Sequence, residues 1–191
     1  MARPKANVQE ISDRLIEEAE RLLAETRGRR LVLSEIADRV GISQSYVHRF
    51  FPTKAALVRA LAQRWFDEVE RESSAAAGAD VPAAKRLEVW MLGLLRLKRD
   101  RYDEDPALFD AYLELAGEHP DLVAAHTGRL HEDLARIVAG MVPAGELPAA
   151  VALVEDATIL FRTPHNISRC RAQATDERAK AVIRMLVGRL R

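Results

Sequence analysis

Apolar residues recur at three- and four-residue spacings along almost the whole chain, and nowhere do they alternate with polar ones in β-branched or aromatic runs. That period matches the turn of an α-helix and conflicts with the two-residue repeat of a strand. Ala, Leu, Glu and Arg, all strong helix formers, dominate the composition. An all-α fold follows. With 191 residues, 48% of them apolar, the chain can bury a core of its own.

Local punctuation divides this pattern into about nine expected helices. Asn7, with Glu10 three residues on, makes a capping-box start for the first, about Val8 to Thr26. Its stripe is Val8, Ile11, Leu15, Ala19 and Leu22, and Arg27-Gly28-Arg29-Arg30 ends it. The second covers roughly Ser34 to Val40, with Ile36, Ala37 and Val40 inward and Gly41 as a left-handed stop. Ser43 caps the third, about Gln44 to Phe50. Pro52 breaks the chain, and Thr53 caps the fourth, Lys54 to about Ser73, with Leu57, Leu61, Trp65 and Val69 in register. The small, turn-prone stretch Ser73 to Val81 reads as a joint. Five more helices are expected: about Pro82 to Arg101, Pro106 to Gly117, Pro120 to near Met141, Pro148 to just before Pro164, and from behind Thr175 to the end. The division that follows is 1–53, 54–80 and 81–191.

Net charge is zero, yet it is unevenly spread. Met1 to Phe66 holds 12 Lys/Arg against 8 Asp/Glu, and the remainder holds 17 against 21. Between Arg27 and Arg64 the ratio is 8 to 2. A basic amino-terminal part on an acidic remainder fits a local surface for nucleic acid.

One cysteine, Cys170, rules out a disulfide within the chain and fits a reducing compartment. The start, with Arg3, Pro4, Lys5 and Asn7, has no apolar signal core, and no apolar run approaches the roughly 20 residues of a membrane helix. A cytoplasmic chain away from membranes is expected. His119, His126 and His131 are spaced seven and five apart, and no carboxylate or Cys completes a metal set around them. No nucleophile elbow, phosphate loop or carboxylate pair appears. Neither a metal, a cofactor nor an enzymatic activity is expected.

The stretch Leu33 to Phe51 carries the functional signal. It reads as two short helices around a tight turn. Ala37 is small where the helices must approach, Gly41 supplies the turn, Ile42 plugs the gap and Val47 lies beneath the second helix. Gln44, Ser45 and Tyr46, then His48 and Arg49, are left outward. These side chains can donate and accept at base edges, meet a thymine methyl, or bind phosphate. Periodicity alone leaves a second reading open: a helical enzyme or protein-interaction scaffold with an incidental helix-turn-helix corner. A polar, basic outer face is unusual for such a corner.

Ile36 to Leu57, IADRVGISQSYVHRFFPTKAAL, resembles the tetracycline-repressor (TetR) family of bacterial regulators. The matching features are Ile36-Ala37, Gly41-Ile42-Ser43, Phe50-Phe51 and Lys54-Ala55-Ala56-Leu57. Where the family begins its second helix on a Thr, this chain has Val32 and Leu33, so Ser34 is expected to take that role. The usual Tyr is replaced by His48. The resemblance implies that Lys54 touches a phosphate and that Arg3 and Lys5 form a basic arm to DNA.

It also implies a ligand-responsive repressor acting as a homodimer on a palindromic operator of double-stranded DNA. Two half-sites about 34 Å or more apart need two copies of the reader. The last two helices are apolar around more of their circumference than one core face requires. Leu153, Ala157, Leu160, Val182, Leu186 and Leu190 are therefore the expected dimer interface. A small-molecule effector pocket is expected among Trp90, Met91, Leu94, Leu97, Phe109, Tyr112, Leu113, His126, Leu130, Phe161 and His165. No buried charge cluster stands out in this set, so the expected effector is neutral or apolar.

Overall fold

The computed structural model describes residues 6–190, and every regular element among them is helical. There are eleven α-helices: α1 (Ala6–Glu25), α2 (Leu33–Val40), α3 (Gln44–Val47), α4 (Lys54–Ala77), α5 (Ala83–Glu104), α6 (Pro106–Gly117), α7 (Pro120–Val138), α8 (Leu147–Ala157), α9 (Ile159–Arg162), α10 (Pro164–Arg169) and α11 (Asp176–Arg189).

The all-α expectation holds, and the count differs from nine for local reasons. The expected eighth helix is interrupted at Thr158, whose hydroxyl donates back to the Val154 carbonyl at 2.5 Å. Such back-bonding competes with regular helix pairing. Pro164 then forces an extended Thr163 (ψ 118°) and starts α10. Two boundaries also move. α1 begins at Ala6, one residue before the expected cap Asn7, and Val8 is exposed rather than in the stripe. α4 continues to Ala77, so Ser73 and Ser74 are helical and the joint shortens to Gly78–Pro82.

The chain forms two compact units: Met1–Trp65 with Ala107–Leu122, and Phe66–Pro106 with Val123–Arg191. In the first, α1 to α3, the start of α4 and α6 share a core of Leu15, Ala19, Leu22, Ile36, Val47, Leu57, Leu61 and Trp65. Trp65 meets Phe109 and Tyr112 of α6 at ring-centroid distances of 5.6 and 5.8 Å. α6 belongs here although α5 precedes it in the chain.

In the second unit α5 is central. Its buried face is Leu87, Trp90, Met91, Leu94, Leu95 and Lys98. It packs against α9, α10 and α11, and Arg96 and Arg99 both reach Asp176 in the first turn of α11. The Trp90 indole donates to Ser73 at 2.8 Å, and Ser73 donates to the buried Asp133 of α7 at 2.5 Å. No helix among the described residues is long and apolar enough to cross a membrane.

Candidate nucleic-acid interface

The reader is built by local rules. Ile36 and Ala37 are fully buried on α2, and Val47 on α3. Gly41 closes α2 at φ 75°, a conformation that glycine adopts without a Cβ penalty. Its amide and that of Ile42 both donate to the Ala37 carbonyl at 3.0 Å. Ser43 Oγ then accepts the Tyr46 amide at 3.2 Å and starts α3. The expected third helix is regular only over Gln44–Val47, and His48 to Phe50 continue as turns.

Gln44, Ser45, His48 and Arg49 are exposed, as is the cap Ser43. Tyr46 is half-buried, edge-on to Phe50 at 5.3 Å, with the Arg49 guanidinium 5.4 Å from its ring centroid. Arg49 is thus within cation–π range of Tyr46. His48 Nδ1 donates to the Pro52 carbonyl at 3.2 Å, which in the neutral ring leaves Nε2 as an outward acceptor. Thr53 Oγ1 accepts the Ala56 amide at 3.1 Å, and Lys54 stands exposed at the positive end of α4.

Ser34 does not cap α2. Val32 holds that position with no side-chain hydrogen bond, and Ser34 is half-buried in the first turn. Arg3 and Lys5 lie outside the described residues.

The basic excess between Arg27 and Arg64 is partly neutralised within the unit. Arg39 is bound by Glu25, Glu35 and Glu18 at 2.8, 3.1 and 3.4 Å, and the Glu25 hydrogen bond leads in raising its pKa. Arg30 pairs with Glu35, Arg59 with Asp121, and Arg64 with Glu17 and Glu20. Arg27, Arg29, Arg49 and Lys54 have no carboxylate in ion-pair range among the described residues. Of these four, Arg49 follows α3 directly and Lys54 opens α4. A count along the sequence does not make this separation, because most partners of Arg39, Arg59 and Arg64 come from α1 and α7.

The residues expected around an effector divide between the units. Phe109, Tyr112 and Leu113 belong to the first. Trp90, Met91, Leu94, Leu97, His126, Leu130, Phe161 and His165 belong to the second. Within the second, Trp90, Met91, Leu94, His126, Leu130 and Phe161 are buried, Leu97 is half-buried and His165 is exposed. The expected lack of buried charge does not hold. Lys98, on the α5 core face, is 4% exposed, and Asp133 is 5% exposed. Lysine is usually solvated, so its residue type masks the helical register of position 98 in the sequence.

Of the expected dimer residues, Leu153 and Ala157 are exposed, Leu160 and Val182 are half-buried, and Leu186 and Leu190 are buried within the chain. Ile159 and Met185 are 53% and 71% exposed. Leu153 also borders a groove of about 390 Å³ lined by Met141, Pro143, Ala149 and Leu190. No group of three metal-ligating side chains occurs among the described residues.

The sequence matches two family models: "Bacterial regulatory proteins, tetR family" over residues 15–61, and "Tetracyclin repressor-like, C-terminal domain" over residues 83–183. No functionally curated protein matches it. Among solved structures, it is similar to a transcriptional regulator of the TetR/AcrR family from Thermobifida fusca, at 18% identity and TM-score 0.69, covering 93% of this chain and 97% of that one. It is also similar to the TetR family regulator PfmR from Thermus thermophilus, at 18% identity and TM-score 0.61, covering 91% and 97%. A third is the multidrug binding protein EbrR complexed with imidazole, at 16% identity and TM-score 0.55, covering 92% and 93%. At these identities the structures establish a shared fold. The carboxy-terminal model alone spans more than half of the chain, and the amino-terminal model spans the whole helix-turn-helix, so this chain belongs to the tetR family of bacterial transcriptional regulators.

Proposed function

We propose that the chain is a homodimeric cytoplasmic repressor that grips a palindromic operator with α3 and releases it when a small organic effector enters the second unit. The observation that carries this reading is the outward face of α3. Ser43, Gln44 and Ser45 are exposed at the start of a capped helix and His48 and Arg49 just after it, and neither Arg49 nor Lys54, which opens α4, has a carboxylate in range among the described residues. Gln44 and Arg49 are the base-edge candidates, and Lys54 with the α4 amino terminus is the phosphate contact.

The exposed apolar residues Ala149, Ala152, Leu153 and Ala157 of α8, with Ile159 and Met185, support pairing of two copies. The fold of EbrR, named as a multidrug binding protein and complexed with imidazole, supports an organic effector. α4 carries residues of both units on one helix, which makes it the natural element for coupling them.

The test is a titration of DNA from upstream of the gene at several salt concentrations. Binding should weaken steeply with salt, by roughly 0.9 log per log for each phosphate contacted. Gln44→Ala, Tyr46→Ala and Arg49→Ala should abolish binding with the helical fold intact. No binding to any genomic fragment at low salt would overturn the reading. So would unchanged function in those three variants, the outcome expected of a helical enzyme or scaffold.

A further inference from the structure

Lys98 lies four residues from Leu94 and seven from Met91, in register with the buried face of α5. Its ammonium donates to the Arg162 carbonyl at 2.8 Å. No carboxylate among the described residues compensates it: burial and the positive charge of Arg162 are what act on it, and together they lower its pKa to about 7. Arg162 is itself mostly enclosed. Its Nε is buried with no acceptor among the described residues, and a terminal nitrogen reaches the Glu155 carbonyl at 3.4 Å.

His126 of α7 supplies no negative charge to offset it. Burial lowers its pKa first, and Lys98 pushes in the same direction against Glu70, which accepts from His126 Nδ1 at 2.9 Å and also pairs with Arg129. Asp133, the buried carboxylate of the second unit among the described residues, is engaged by Ser73, Ser74 and Arg136. The core of the second unit therefore holds an amine with no counter-charge and a guanidinium edge with no acceptor among the described residues. Buried charges ordinarily have partners, and an anion would supply one.

We propose that Lys98 and the Nε edge of Arg162 are the charged end of the effector site, and that the effector is a small organic monocarboxylate with an apolar body. Glu155 and Asp156 already offset Arg162, which leaves one charge to neutralise and favours a monoanion over a phosphate-like polyanion. Met91, Leu94 and Leu95 are buried on α5 together with Lys98, and the buried Phe161 precedes Arg162 in the chain, so apolar side chains are at hand for its body. The proposal rests on the effector-responsive reading above, and it replaces the neutral effector expected from the sequence.

The test uses the full-length protein without DNA, titrated calorimetrically at pH 8 with octanoate and benzoate, and with octanamide and benzamide as neutral isosteres. At least one carboxylate should bind on the order of tenfold or more tighter than its amide. Its binding should take up close to one proton, read as a dependence of the heat on buffer ionisation, because Lys98 passes from largely neutral to charged. Lys98→Gln keeps a donor for the Arg162 carbonyl and removes the charge. It should weaken the carboxylate by roughly 10- to 100-fold and leave the amide unchanged. Lys98→Met should show the same loss. Equal binding of acid and amide, no binding of either acid, or wild-type affinity in Lys98→Gln overturns the proposal. Operator binding is measured separately, so failure of the anion site leaves the DNA result standing, and the reverse.

Discussion

Gly28 and Ala111 touch so closely that a Cβ on Gly28 would meet the Ala111 methyl at 2.1 Å. Gly28 also sits at φ 76° in the turn between α1 and α2, its amide donating to the Leu23 carbonyl at 2.7 Å. The turn therefore seats directly on α6. Gly28→Ala adds both a left-handed alanine and an overlap, and should cost about 2–4 kcal/mol in chemical denaturation. Adding Ala111→Gly should return the steric part and leave about 2 kcal/mol, about 1 from the left-handed alanine and about 1 from a glycine inside α6. A Gly28→Ala protein as stable as the wild type would mean that this contact is absent.

Ser73 is the shared member of a buried chain running from Trp90 to Asp133. Ser73→Ala strands the indole N–H and takes one donor from a buried carboxylate, so a loss of about 2–3 kcal/mol is expected. Ser74→Ala removes a longer bond, 3.2 Å, from an exposed residue to the same carboxylate. It should cost no more than about 1 kcal/mol. Equal losses in the two variants would refute this ranking.

Asp176 ties α11 to α5 by accepting from Arg96 and Arg99, each at 2.8 Å. The Arg96 hydrogen bond is the leading cause that holds its carboxyl below the usual range, while burial opposes it. A folded pKa below the unfolded value of about 3.9 means that the stabilisation is present above about pH 4 and is lost as pH falls through the folded value. Asp176→Asn should therefore be less stable than the wild type at pH 7. Arg96 is half exposed, so the difference should be only about 1–2 kcal/mol. The two stability curves should converge as pH falls below about 4 and through the lower folded value. A gap that stays constant across that range would assign the loss to packing.

Features set by residues a few positions apart were legible in the sequence. Gly41 stops α2 and Ser43 starts α3 because their bonds reach only three to five residues. Pairings between distant segments were not. Nothing near Ala111 signals that α6 will join α1 and α2, and nothing near Arg39 signals that Glu18 and Glu25 will absorb its charge. Thr158 was hidden because a single back-bonding hydroxyl breaks a helix whose apolar spacing runs straight through it. Lys98 was hidden because its residue type outweighed its register.

The same ambiguity affected α11, where both a core face and an outer face are apolar. The structure separates them: Leu186 and Leu190 pack inside the chain, while Met185 stands 71% exposed, with Leu153 of α8 at 41%. If α8 and α11 join two copies, a charge at an outer position should break the pair without unfolding the chain. Leu153→Asp and Met185→Asp should sediment as monomers at micromolar concentration, keep their helix content and lose operator affinity, because one reader contacts only one half-site. Leu186→Asp should instead unfold the second unit, since it buries an unpaired carboxylate. A Leu153→Asp protein that stays dimeric with full operator affinity would place the interface on another face of the molecule.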